Sequence, residues 1–272
     1  MNLAEATIPA ASDGIAVTRE RSSLPQWNPF FLGDWMRAVF IHYEVEPAAL
    51  QREIPYELDL FEGRAFVSLV AFTMQRLRPR RGGRLAELFF SPFATTRYLN
   101  VRTYVRHRNS AGIYFIAEFL SNPFCVPLGR PTFGLPYRFG LLAYGGGGIE
   151  VEVMVSRGSE KLTCHVSKCA RAEFRTCLPE TLDAFLLERY VAFTCCGQAR
   201  RFFHIWHLPW SQVSVEVSVR DEGLLATTGR WIKHARFVGA NFSPGVCDVG
   251  MEWPRRIQRL RPKRRLTAFF NI

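Results

Sequence analysis

Apolar and polar residues alternate along several stretches of this chain with the two-residue period of a β-strand. The pattern is clearest over Tyr98–His107. There Leu99, Val101, Thr103 and Val105 share one face, and Tyr98, Asn100, Arg102 and Tyr104 share the other. Residues 149–156 repeat it, with Val151, Val153 and Val155 set against Glu150, Glu152 and Met154. Residues 212–220 do the same with Val213, Val215, Val217 and Val219 against Ser214, Glu216, Ser218 and Arg220. Residues 36–44 read as a strand, and 112–120 as the hairpin partner of 98–107. Ala65–Met74 is apolar nearly throughout, as in a strand buried on both faces. Shorter strands are expected at 162–167, 170–175 and 201–207, and weaker ones at 232–238 and 246–253.

Two segments carry helical signals. Pro47–Ile54 places Pro47 in a first turn, puts Glu44 and Glu46 near the positive helix end, and is stopped by Pro55. Pro179–Phe193 is the stronger one, with Leu182, Phe185, Leu186, Arg189 and Tyr190 at helical spacing. Gly145–Gly148 reads as a turn. About ten strands, two or three helices, no βαβ rhythm and no repeat predict an α+β protein. Its mainly antiparallel sheet would be strongly curved or closed in the manner of a β-barrel. The polar face of 98–107 could then line a lumen or cover the outside.

The chain has 272 residues, 48% of them hydrophobic and 23 of them Phe, which is enough for a real core. The expected organisation is a mobile leader over 1–24, a single domain over 25–253 and a basic tail over 254–272. The formal net charge of +11 is concentrated in that tail and in Arg76, Arg78, Arg80, Arg81 and Arg84. Without these two patches the rest of the chain is close to neutral. Only four residues are Lys: Lys161, Lys168, Lys233 and Lys263. The seven cysteines, the lack of a signal-peptide pattern and the lack of a spanning apolar run predict a reduced cytoplasmic protein, away from membranes.

Most single motifs carry no chemistry. Cys164 and His165 are adjacent on an expected strand and point apart, no Cys-x-x-Cys exists, and no metal or cofactor is implied. Cys195 and Cys196 have no sequence sign of an activating base, so they read as small apolar groups. Gly145–Gly148 lacks the Lys-Ser/Thr of a phosphate loop. The arginines of the tail leave nucleic-acid binding as an alternative.

The stronger constellation is Arg102, Tyr137, Arg138 and His207, with Asn100 and Tyr104. Arginine offers a planar fork to a carboxylate or phosphate. Histidine titrates near neutral pH. A tyrosine beside an arginine can donate a hydrogen bond or, with a depressed pKa, exchange a proton. The bland reading is that Arg102 and Arg189 pin the fold and His207 is a satisfied core histidine.

Gly129–Leu142, GRPTFGLPYRFGLL, resembles the segment that carries the catalytic lysine of acetoacetate decarboxylases. Further pieces are Trp35–Tyr43 with His42, Leu50–Pro55 followed by Glu62-Gly63 and Phe72, Asn100–Val105, Leu135-Pro136-Tyr137, Phe185–Tyr190 and His207–Trp210. Their order resembles the YqjF-like family of uncharacterised bacterial proteins, within the acetoacetate decarboxylase-like superfamily. The resemblance implies a barrel-like α+β fold around an internal cavity, and related barrels form oligomers. It also marks a departure. The two lysine positions hold Tyr137 and Arg138, and a phenol cannot form the imine on which that decarboxylation depends. A decarboxylase glutamate falls on Asn100.

The expectation is a cavity for a small anionic ligand, with Arg102 as its charge partner and Tyr137, Arg138, Asn100, Tyr104 and His207 around it. Binding or sensing comes first. A non-imine enzyme that uses Tyr137 or His207 for proton transfer on an oxo or carboxylated molecule is the alternative.

Overall fold

The computed structural model describes residues 28–146, 150–168 and 173–257. The expected leader, most of the basic tail, and parts of the expected 145–148 turn and 170–175 strand lie outside the described residues. Within them, fourteen strands form one mostly antiparallel sheet.

Seven of these strands close into a ring. They are β1 (Phe31–Val45), β3 (Ala65–Pro79), β4 (Thr96–His107), β5 (Ser110–Leu120), β10 (Val191–Cys196), β11 (Ala199–Trp206) and β13 (Arg236–Met251). Pairing of Ile205 with Met251 and Trp206 with Gly250 completes the circuit. The exceptions to antiparallel pairing are β10 against β5 and β6 (Tyr137–Phe139) against β5. A second layer leaves the ring through β13 and runs β12 (Val213–Glu222), β9 (Glu160–Lys168), β8 (Val151–Arg157), β7 (Leu141–Gly145). Two short strands, β2 (Glu57–Leu58) and β14 (Arg255–Arg256), finish the sheet.

Strand alternation separates two cores. Odd positions of the first strands, among them Val39, Ile41, Val67, Leu69, Leu99 and Val101, face outward and pack under the valines of β8, β9 and β12. Even positions, among them Phe40, Phe66, Val70, Phe72, Tyr98 and Tyr104, face into the ring. A bulge in β5 between the partners of Val101 and Arg102 changes the parity there, so Phe115 and Glu118 both face inward.

Four helices are added. In α1 (Pro47–Gln51), Glu46 caps the amide of Ala48 at 3.0 Å. The arginine patch 76–84 spans the end of β3 and the start of α2 (Gly83–Phe90). A further helix, α3 (Val126–Thr132), precedes Tyr137. The expected helix 179–193 is only α4 (Leu182–Leu187). Glu188 leaves helical geometry, and Ala192 and Phe193 pair with Ile113 and Tyr114 of β5. Ring pairing outweighs the helical periodicity of those residues. The two weak strands expected at 232–238 and 246–253 are largely one long strand, β13, preceded by a 3-10 turn at Arg230–His234.

Candidate functional site

The polar face of β4 lies inside the ring. Asn100, Arg102 and Tyr104 are 7%, 6% and 1% exposed. Across the ring wall, Arg102 stands opposite Ser68, and Ser68 opposite His42. In the next row Phe40, Val70, Asn100, Glu118 and Tyr137 follow one another strand by strand.

These groups form one buried polar chain. His42 Nδ1 lies 2.7 Å from Ser68 Oγ, and Ser68 Oγ 2.6 Å from the Tyr104 hydroxyl. His42 Nε2 lies 3.1 Å from Asn241 Oδ1, and Asn241 Nδ2 donates to Gln212 Oε1 at 2.8 Å. Arg102 Nη2 donates to the Leu186 carbonyl at 2.9 Å, an oxygen that also lies 2.9 Å from the Tyr104 hydroxyl. Burial lowers the His42 pKa to about 3, so its imidazole is neutral. A neutral ring has one proton. Placed on Nε2, it is donated to Asn241 and Ser68 donates to Nδ1, which leaves the single Tyr104 proton shared between Ser68 and the Leu186 carbonyl. Placed on Nδ1, it would set two acceptors against each other at Asn241. The first arrangement therefore orders the chain from Asn241 through His42 to Ser68.

Arg102 is a buried cation of this interior, hydrogen-bonded to a carbonyl and to the Tyr104 hydroxyl, with Glu188 attracting it and Arg189 repelling it through charge. The Phe40 ring lies 5.7 Å from its guanidinium carbon. Among the described residues, four buried side-chain atoms have no hydrogen-bond partner: Trp35 Nε1, Asn100 Oδ1, Arg102 Nε and Glu118 Oε2. All four belong to side chains that face the ring. Glu118 is 3% exposed, and burial pushes its pKa well above the usual carboxylate range, so it stays protonated.

Tyr137 projects toward Glu118 and hydrogen-bonds to Tyr98, whose ring centroid is 6.2 Å away. The close approach of α3 requires Gly129, because a Cβ there would lie 2.3 Å from Tyr137 Cδ2. Burial, reinforced by Tyr98 and Glu118, pushes the Tyr137 pKa up rather than down. Tyr137 is thus a hydrogen-bonding phenol and not a phenolate base. Arg138 is not with it. Its guanidinium turns to the other side of β6, donates to the Thr227 carbonyl at 2.9 Å and lies over Phe119 of the outer core. His207 is 3% exposed, stacks on Tyr190 at 4.7 Å and donates from Nδ1 to the Leu208 carbonyl at 2.7 Å. Burial lowers its pKa below the ordinary imidazole value. Arg189 pins the fold, bonding Asp59 at 2.8 Å and stacking on Phe185 at 4.1 Å.

Sequence reasoning missed Glu118, Ser68 and Asn241, and placed His42 only within a matching segment. Glu118 left one signal: it is the single charge in the apolar run GIYFIAEFL. Without the bulge, alternation would have turned it outward.

A family model described as an uncharacterised conserved protein, DUF2071, matches residues 33–246. The chain belongs to the DUF2071 family. That span contains every ring-facing residue named above. The uncharacterised protein YqjF of Bacillus subtilis is 27% identical over 188 residues, covering 68% of this chain and 76% of its own. The fold is that of acetoacetate decarboxylase. The Legionella pneumophila enzyme superposes with a TM-score of 0.60 at 14% identity, covering 92% of this chain and 98% of that one. An acetoacetate decarboxylase-like enzyme from Sphingomonas wittichii gives 0.60 at 11% identity, covering 86% and 95%. The enduracididine biosynthesis enzyme MppR, complexed with pyruvate, gives 0.59 at 12%, covering 88% and 94%. Among the described residues, no helix of this DUF2071 protein is long and apolar enough to cross a membrane.

Proposed function

We propose that this DUF2071 protein binds a small oxo acid or carboxylate inside its ring, with Arg102 as the charge partner. The observation that carries the reading is a buried guanidinium that, among the described residues, is hydrogen-bonded to a carbonyl and a hydroxyl and to no carboxylate, beside side chains with unpartnered polar atoms. Burying an unpaired charge costs several kcal/mol. An anion at Arg102 Nε would offset that cost, and the indole N–H of Trp35 would supply a second donor. Protonated Glu118 and Asn100 would take the oxo or hydroxyl end. MppR, a neighbour of this fold, was obtained with pyruvate, an oxo acid. A binding or sensing role needs nothing further.

One observation favours a catalytic second reading. Glu118 is a neutral carboxyl next to Tyr137, where the decarboxylases carry lysine. A protonated acid in an apolar wall can donate a proton in a reaction at neutral pH. Imine chemistry has no support: Lys161 and Lys168 lie on β9, outside the ring, Lys233 lies in a 3-10 turn, and Lys263 lies outside the described residues.

A thermal-shift panel of small oxo acids, carboxylates and phosphates on wild type and Arg102→Met tests the binding reading. A ligand at about 100 times its dissociation constant adds roughly 2.7 kcal/mol of stability. The shift is expected for oxo acids and is expected to vanish in Arg102→Met. A shift that survives this substitution removes Arg102 from the site. For the second reading, Glu118→Gln should bind the same acid but lose any turnover detected in wild type.

A further inference from the structure

A cavity opens at the apolar end of the ring, beside the polar interior, and its chemistry is different. It is a cleft of about 400 Å³ walled by Phe31, Phe90, Leu128 and Phe133, with Tyr98 and Tyr137 also in its lining. The two phenols hydrogen-bond to each other, so the lining offers little for a polar ligand to hold. At Phe30 and Trp253, whose rings pack edge to face at 5.0 Å, the cleft adjoins a groove of about 440 Å³. That groove is lined by Arg80, Arg81 and Arg255, with one acid, Glu252. Glu252 is engaged by His204 at 2.8 Å and by Arg255 at 3.4 Å. Arg80 donates to Asn28 at 2.8 Å. The groove is therefore net cationic. Around the mouth, α2 leaves Leu85, Leu88 and Phe89 at 71%, 69% and 78% exposed.

We infer that the cleft and groove together form a site for a single-chain amphiphile with an anionic head, such as a free fatty carboxylate. The alkyl chain would lie in the cleft between α2 and α3. The carboxylate would lie in the groove, where Arg80 and Arg81 offer paired donors. The juxtaposition of an apolar slot and a cationic groove through one aromatic pair is what selects this class. A short oxo acid would leave the slot unfilled, and a neutral alkane would leave the net positive charge of the groove unbalanced. The cleft meets the polar interior at Tyr98 and Tyr137, and Arg102, Asn100 and Glu118 are not in its lining. Its test reads chain length, not oxo chemistry, so either site can fail without the other.

The experiment is calorimetric titration of the full chain with octanoate, decanoate and dodecanoate below their micellar concentrations, and with decanol. Each methylene buried in the cleft should tighten binding by about fourfold. Decanoate should bind about tenfold tighter than decanol. The double variant Arg80→Ala with Arg81→Ala, at two exposed positions, should abolish that tenfold preference and leave decanol binding intact. Leu128→Asp should weaken both ligands. Equal affinity across chain lengths, or a carboxylate preference that survives the double arginine variant, overturns the inference. So does retention on phosphatidylglycerol vesicles without saturable binding of monomeric decanoate, which would assign the arginines and the exposed face of α2 to a lipid surface.

Discussion

Leu99, Val101 and Val105 on the outer face of β4 lie in an apolar core beneath the second sheet layer, while Asn100, Arg102 and Tyr104 on its inner face lie among polar groups with open hydrogen-bonding capacity. The two faces share a backbone, a strand pairing and a similar degree of burial. Their energetics are opposite. The outer face removes apolar area from water and stabilises the ring. The inner face buries a guanidinium, beside the Glu118 carboxyl of β5, which costs stability unless something pairs with them. A fold tolerates such a cost most readily where function resides.

The contrast is sharpest in substitutions. Phe119→Ala, in the outer core beneath Arg138, should cost about 3–5 kcal/mol in denaturant unfolding and leave ligand response unchanged in kind. A cost below about 1 kcal/mol would break the assignment of that face to packing.

The inner face should show itself through pH. His42 is held neutral, with its pKa lowered from 6.5 to about 3. Its folded state binds fewer protons than the unfolded state, so its contribution is complete above pH 6.5 and is lost as pH falls toward about 3. The loss should be of the order of a few kcal/mol, and His42→Gln should flatten this acid limb. Glu118 acts in the other direction. Its raised pKa makes its contribution complete below about 4.5, with loss as pH rises toward the folded value. Glu118→Gln should remove that loss. At low pH, where both side chains are neutral, it should change stability by less than about 1 kcal/mol. Coincident pH–stability curves for wild type and both variants would mean that neither group is buried in the state described.

Much of this was legible in the sequence. Alternation over 98–107 placed Asn100, Arg102 and Tyr104 on one face, because a two-residue period survives in any regular strand. It could not say which face was inside, since that depends on the closure of β11 against β13, far away in sequence. The packing of the Tyr137 ring against Gly129 was not read from GRPTFGLPY, because it depends on how α3 folds back over β6. Arg138 was misplaced because adjacency in sequence means opposite faces on a strand, and β6 is a strand. Glu118 was hidden by a bulge, which no local period encodes. The helix expected to run to Phe193 stops at Leu187 because the following residues are claimed by β5, a contact invisible to any local window.

The most direct test is denaturant unfolding of wild type and Arg102→Met, each with and without saturating pyruvate or whichever oxo acid shifts the wild type most. In the absence of ligand, the variant should equal or exceed wild type in stability, because methionine removes a buried charge and Tyr104 still reaches the Leu186 carbonyl. With ligand the order should reverse, since wild type gains stability and the variant does not. A variant that loses about 3 kcal/mol or more without ligand, or that gains as much as wild type with it, would contradict the account and leave Arg102 as a structural pin.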